Sequence, residues 1–422
     1  MSDADGERSA ASGADASSDP FGSAARTDLG EVDPCGSRQA GRRSGLALTD
    51  EGPVAGLADG SVRAFDDGGS ERWRVDGAGS AITLAAFADG VVVGERSARG
   101  AIRLLEGGTE RWRHDAADAL GGPTKDTRFF LPMVVDAAVP AAGDVAYVAA
   151  RRYERRDGGR AFESSVYAVD PDGAVRWRYD ADASPIALEP FGDGVAVGYN
   201  RCPGAHDDGL VVLDSEGGER RKWDPDREAT RRVGDVSSVG GRLVVTSHAD
   251  YRGYCLDPDG SGADVAWRVD LGTPRADGDG VYTYPNHVVG DDLGVVFVTG
   301  NTFPREGRET DERHPNEQSA FGYAPDGDRR WRASVGGFCH EIAADGGCLL
   351  APVAQHFRDR DPTVHGIRLF DVTEGRLETG RTDGVCTAAA LDGDRRAVVE
   401  EPVEYHDDDG GVRGAYALWC RK

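Results

Sequence analysis

Apolar and polar positions alternate along most of this chain in short runs, and tight Asp/Gly turns close them. The segments SVRAFDDGGSERWRVD (61–76), AIRLLEGGTERWRHD (101–115), SVYAVDPDGAVRWRYD (165–180) and GLVVLDSEGGERRKWD (209–224) share one pattern. An alternating strand leads into a turn, and a second strand carries tryptophan. YCLDPDGSGADVAWRVD (254–270) and SAFGYAPDGDRRWRAS (319–334) repeat it. Period-two alternation around such turns predicts β-hairpins. In HGIRLFDVTEGRLETGR (365–381) the frame persists, with Thr379 roughly where tryptophan stood.

Two further strands precede each hairpin, as in ITLAAFADGVVVG (82–94), IALEPFGDGVAVG (186–198) and VGDVSSVGGRLVV (233–245). YPNHVVGDDLGVVFV (284–298) and HEIAADGGCLLAP (340–352) follow suit. Four strands in roughly forty to fifty residues predict a β-propeller blade. Seven complete units end near Arg381, and 385–420 supplies only the first three strands of an eighth. ARTDLG (25–30) matches the close of a unit, as in WRVDLG (267–272), and is predicted to supply the missing strand. The expected fold is all-β: an eight-bladed β-propeller of four-stranded antiparallel blades, closed by an N-terminal strand. It spans 23–422 as one domain, after a disordered acidic tail over 1–22 too polar to offset its ordering entropy.

Recurrence of the hairpin with Trp73, Trp112, Trp177, Trp223, Trp267 and Trp331 resembles the PQQ-like β-propeller repeat family. That resemblance implies that these tryptophans dock between neighbouring blades. The family includes quinoprotein alcohol dehydrogenases, with pyrroloquinoline quinone and calcium, and cofactor-free scaffolds such as the outer-membrane assembly lipoprotein. The dehydrogenases carry adjacent cysteines beside the quinone. This chain has no Cys-Cys pair, so no cofactor is expected. The turns at 170–173 and 257–260 run directly into tryptophan strands and read as Pro/Asp/Gly turns, not calcium loops.

Composition changes the picture mainly at the surface. Asp and Glu total 74 against 49 Lys and Arg, a net charge of −25, and the only lysines are Lys125, Lys222 and Lys422. Such a surface resembles the proteins of halophilic archaea, where salt screens self-repulsion. No basic run exists to neutralise a row of phosphates, which argues against nucleic-acid binding. No apolar stretch is long enough to span a membrane, and MSDADGERSAASGADASSDP lacks the regions of a signal peptide. A soluble, cytoplasmic monomer is expected. The seven cysteines contain no CxxC pair.

Candidate chemistry follows from connection length. Turns between first and second and between third and fourth strands are short, whereas long segments gather on the opposite face. These are HDAADALGGPTKDTRFFLP (114–132), RRYERRDGGRAFESS (151–165), NRCPGAHDDG (200–209), NTFPREGRETDERHPNEQS (301–319) and QHFRDRDPTVHG (355–366). Lys125, Arg151, Arg152, Arg201, His248, His287, Asn301, His340, Glu341 and His356 are predicted to ring the channel mouth there. A basic, imidazole-rich mouth on an acidic protein suits an anionic small molecule or a protein segment. The leading reading is a non-catalytic binding scaffold. The alternative is an enzyme, a hydrolase, lyase or quinoprotein-like oxidoreductase, using the same His/Arg mouth. Cys339, His340 and Cys386 form a candidate soft-metal set near the axis.

Overall fold

Strands form wherever the alternation runs, and consecutive strands pair antiparallel in sets of four. The computed structural model describes residues 24–422 apart from 39–40, 42, 258–264, 275–279, 308–309 and 407–410. The tail expected over 1–22 and most of the turn at 257–260 lie outside the described residues. The first unit comprises Gly45–Thr49, Gly52–Gly56, Val62–Phe65 and Glu71–Val75, paired in sequence order. Five further sheets have four strands each, and the second and third units join into one eight-stranded sheet through Met133 opposite Arg96. The last sheet contains Val385–Asp392, Arg395–Glu401 and Ala417–Arg421, with Ala25–Asp28 antiparallel to the last of these and Thr27 opposite Leu418. Helix among the described residues is limited to Ala117–Leu120 and a 3-10 turn at Pro362–Val364. None is long and apolar enough to cross a membrane.

The second strand of each sheet is buried on both faces and is therefore apolar at consecutive positions, as in Val91–Val92–Val93 and Leu243–Val244–Val245. Most hydrophobic clusters draw on two neighbouring units. Val62 and Ala64 of the first unit pack on Val91 and Val93 of the second, and Val92 and Ile102 pack on Val134 and Val148 of the third. The pattern continues round to Leu350 and Ile367 against Cys386 and Val398, and then to Leu418 and Ala388 against Leu46 and Phe65. Inner strands are further tied by carboxylates. Asp136 accepts from the Leu188 N–H at 2.8 Å, and Asp235 from the Val288 N–H at 3.0 Å. The packing is that of a β-propeller.

Tryptophans dock on the next unit's turn between third and fourth strands. Trp112 donates its indole N–H to the Pro171 carbonyl at 3.1 Å, Trp177 to Ser215 at 3.0 Å, and Trp267 to Pro325 at 3.0 Å. Glycine is required beneath the ring: a Cβ on Gly173 (φ +87°) would lie 2.5 Å from Trp112. In each of these hairpins a bulged residue stands immediately before the tryptophan, and the bulge defines the docking position. Two sequence assignments shift in consequence. In the fourth unit Arg221 directly follows the bulge and donates to the Asp257 carbonyl, while Trp223 lies opposite Leu210 and packs edge-on against Tyr254. In the seventh, Glu378 holds the position rather than Thr379, and it pairs with Arg396 at 2.9 Å. Thr27 takes the corresponding role in the last sheet, donating to the Gly69 carbonyl at 2.7 Å.

One predicted loop is a strand pair. RRYERRDGGRAFESS belongs to Ala146–Arg156 and Gly159–Val169, which remain paired to the tip. Positive φ at Asp157 (50°) and Gly158 (80°) gives a two-residue turn whose twist matches the strands. Pairing gives every side chain in the segment a definite face.

Candidate functional site

The long-loop face holds a cavity of about 570 Å³ between the second, third and fourth units. Alternation along the hairpin builds its floor. Arg151, Tyr153 and Arg155 on one strand and Arg160 and Phe162 on the other line the cavity. Tyr153 stands opposite Phe162 with ring centroids 5.5 Å apart, and Arg155 stands opposite Arg160. Arg96 and Arg201 enter from the ends of the neighbouring second strands, and Arg128, Phe129 and Phe130 from the connection above. The lining thus has six arginines and no carboxylate, in a chain of net charge −25.

Among the described residues, Arg128, Arg151, Arg155, Arg160 and Arg201 form no ion pair. Arg151 donates to the Ser184 hydroxyl and approaches the Met133 sulfur at 3.9 Å. Burial pushes its pKa down to about 10. Arg201 is also lowered to about 10, by burial and then by Arg231, Arg160 and Arg151. Arg151 and Arg201 are half-buried, whereas Arg128, Arg155 and Arg160 are exposed to solvent.

The remaining predicted mouth residues divide into separate groups. Lys125 is exposed, its ammonium 5.1 Å from the Phe130 ring centroid at the cavity edge. Arg152 turns to the other face of the hairpin, donating to the Leu120 carbonyl and pairing with Glu154 at 2.6 Å. His248 sits behind the cavity wall, its Nδ1 3.0 Å from the Asn200 amide. Burial and then the Arg231 charge push its pKa down to about 3. His287 contacts the Cys339 carbonyl at 3.1 Å and Asp235 at 3.8 Å. His340 is lowered to about 4 by burial, then by His287 and Arg128. His356 bonds Glu317 at 3.2 Å, and Asn301 accepts from Gln318 at 2.9 Å. Burial opposes ionisation of Glu317, but His356, the Thr302 N–H and Arg313 hold its pKa near 2. Glu341 is half-buried beside His340 in sequence.

No three His, Cys, Asp or Glu side chains among the described residues are grouped to hold a metal ion. Cys339 and Cys386 are instead buried thiols, each pushed up to about 12 by burial. The metal set suggested by their common strand position is not brought together. Arg96, Arg128, Arg155, Arg160 and the aromatic wall were missing from the sequence-based ring. The signal for Arg155, Arg160, Tyr153 and Phe162 was present in RRYERRDGGRAF, which alternates as a strand through the supposed loop.

The family model described as outer membrane protein assembly factor BamB matches residues 58–275, just over half of the chain. The chain belongs to this BamB-type PQQ-like propeller family. No curated protein matches the sequence. Among solved structures, the Dos1 propeller is 10% identical with a TM-score of 0.52, covering 95% of each chain. BamB from Moraxella catarrhalis is 15% identical with a TM-score of 0.47, covering 87% of this chain and 99% of the other. The mitotic checkpoint complex contains a chain 9% identical with a TM-score of 0.49, covering 99% of both. The Dos1 likeness supports the propeller fold alone.

Proposed function

We propose that this BamB-type chain is a closed eight-bladed propeller acting as a cytoplasmic, monomeric, non-catalytic scaffold in a high-salt interior. Its arginine cavity holds an anionic small molecule or an acidic protein segment. Closure is supported by the pairing of Ala25–Asp28 with Ala417–Arg421 and by the cluster that packs the last sheet on the first. Seven free thiols suit a reducing compartment. The observation that carries the binding role is the opposed Arg155–Arg160 pair in a cavity lined by no carboxylate. Like charges directly opposite one another destabilise a sheet, and a bound anion reverses that cost.

Thermal unfolding in molar KCl tests the binding role with citrate, inorganic phosphate and a glutamate-rich peptide. At least one anion is expected to raise the melting temperature of the native chain and to leave an Arg151→Gln/Arg201→Gln variant unmoved. Equal shifts in both proteins would remove the cavity from the function. Closure is tested by deleting residues 24–32, which is expected to destabilise the chain or make it associate through the exposed edge.

A further inference from the structure

The arginines and aromatic rings of the cavity interleave, with the Arg151 guanidinium 5.8 Å from the Phe162 ring centroid. Phe130, Tyr153 and Phe162 form one continuous wall, with centroid separations of 5.1 Å and 5.5 Å. Arg151 and Arg201 line the same cavity with Ser184, whose hydroxyl already accepts from Arg151. Arg155 and Arg160 add positive charge nearer the hairpin tip. Resting on the binding role proposed above, we infer that the ligand is a phosphate monoester carried on a planar ring, of the nucleoside monophosphate class. Its phosphate lies at Arg151 and Arg201, and its ring lies against Tyr153 and Phe162.

Three features select this class. A carboxylate presents two oxygens and is satisfied by one guanidinium fork, whereas a phosphate monoester presents three oxygens and nearly two charges. Two guanidiniums and a hydroxyl match the larger acceptor. The wall is sp² on every residue, and flat π-systems stack on such rings more completely than aliphatic chains do. The cavity volume of about 570 Å³ falls within the range of small-molecule sites, so one ring with its phosphate occupies it without a long polymer.

The test is calorimetric titration of the full chain in molar KCl with AMP, UMP, inorganic phosphate, adenosine and the glutamate-rich peptide. Expected affinities for AMP and UMP exceed that for inorganic phosphate by about tenfold or more. Arg151→Gln should abolish binding of all phosphate-bearing probes. Tyr153→Leu/Phe162→Leu should reduce AMP binding to the level of phosphate while leaving phosphate itself unchanged. Melting curves confirm that each variant is folded, and Tyr153→Phe, which keeps the ring, should bind AMP as the native chain does.

Equal affinity for AMP and phosphate would overturn the ring contact. Tighter binding of an oligonucleotide than of AMP would overturn the small-molecule class. If the peptide binds through Arg151 and AMP does not, the inference falls while the scaffold reading stands. If no anion binds, or Arg151→Gln changes nothing, both fall.

Discussion

The hairpin at 146–169 presents two faces that use the same residue types to opposite ends. On one face Arg152 pairs with Glu154 at 2.6 Å, and Arg156 reaches both Glu154 and Glu163. On the other, Arg151, Arg155 and Arg160 form no ion pair among the described residues and share their surface with Tyr153 and Phe162. Strand geometry is common to both faces, so backbone preference does not separate them. The first face satisfies its charges internally and contributes to the fold. The second leaves them without an ionic partner among the described residues, the feature on which the proposed binding role rests.

Arg152→Ala should have the largest effect. Leaving the buried Leu120 carbonyl without its donor, while Glu154 keeps only Arg156, should cost about 2 kcal/mol. Urea unfolding in molar salt reads this cost, and phosphate affinity of the folded protein should remain within about twofold of the native value. A loss of affinity without a loss of stability would place Arg152 in the site and erase the contrast between the faces. Arg160→Glu probes the opposite face. It converts the opposed pair into an attractive one and should stabilise the chain by about 0.5 kcal/mol while weakening anion binding. Destabilisation would show that Arg155 and Arg160 do not repel.

A smaller effect is expected at His340, half-buried beside the mouth, with its pKa lowered from 6.5 to about 4. Between those values the unfolded chain binds a proton that the folded chain does not. The contribution of neutral His340 is therefore fully present above about pH 6.5 and lost progressively as pH falls toward 4. His340→Gln should flatten the unfolding free energy across that window, and an unchanged slope would mean that the imidazole is not held neutral. The smallest effect belongs to Lys125→Gln. An exposed ammonium in high salt should change anion affinity by less than about twofold. A larger change would extend the site beyond the six arginines.

The same hairpin shows how far the sequence carries. RRYERRDGGRAFESS contains the period-two order that separates Arg151 from Arg152, yet its charge and its length between blades read as a loop. Once the segment is treated as loop, side-chain parity has no meaning and both arginines fall into one ring. The tryptophan positions failed more narrowly. Trp223 and Thr379 follow the repeat by eye, but the β-bulge shifts the docking residue to Arg221 and Glu378, and a bulge depends on how two strands settle against a neighbour.

Local pattern determined the strands, the Asp/Gly turns, the tryptophan hairpins and the grouping by fours, because alternation and turn chemistry act over a few residues. Tertiary structure alone decided the cavity. Its arginines run from residue 96 to residue 201, from three units and the connection between two of them, and nothing within any one segment specifies their convergence. It also decided which histidines are buried behind structural partners, as His248 is by Asn200 and His356 by Glu317. Charge satisfaction depends on what lies across space, and spacing along the chain does not encode it.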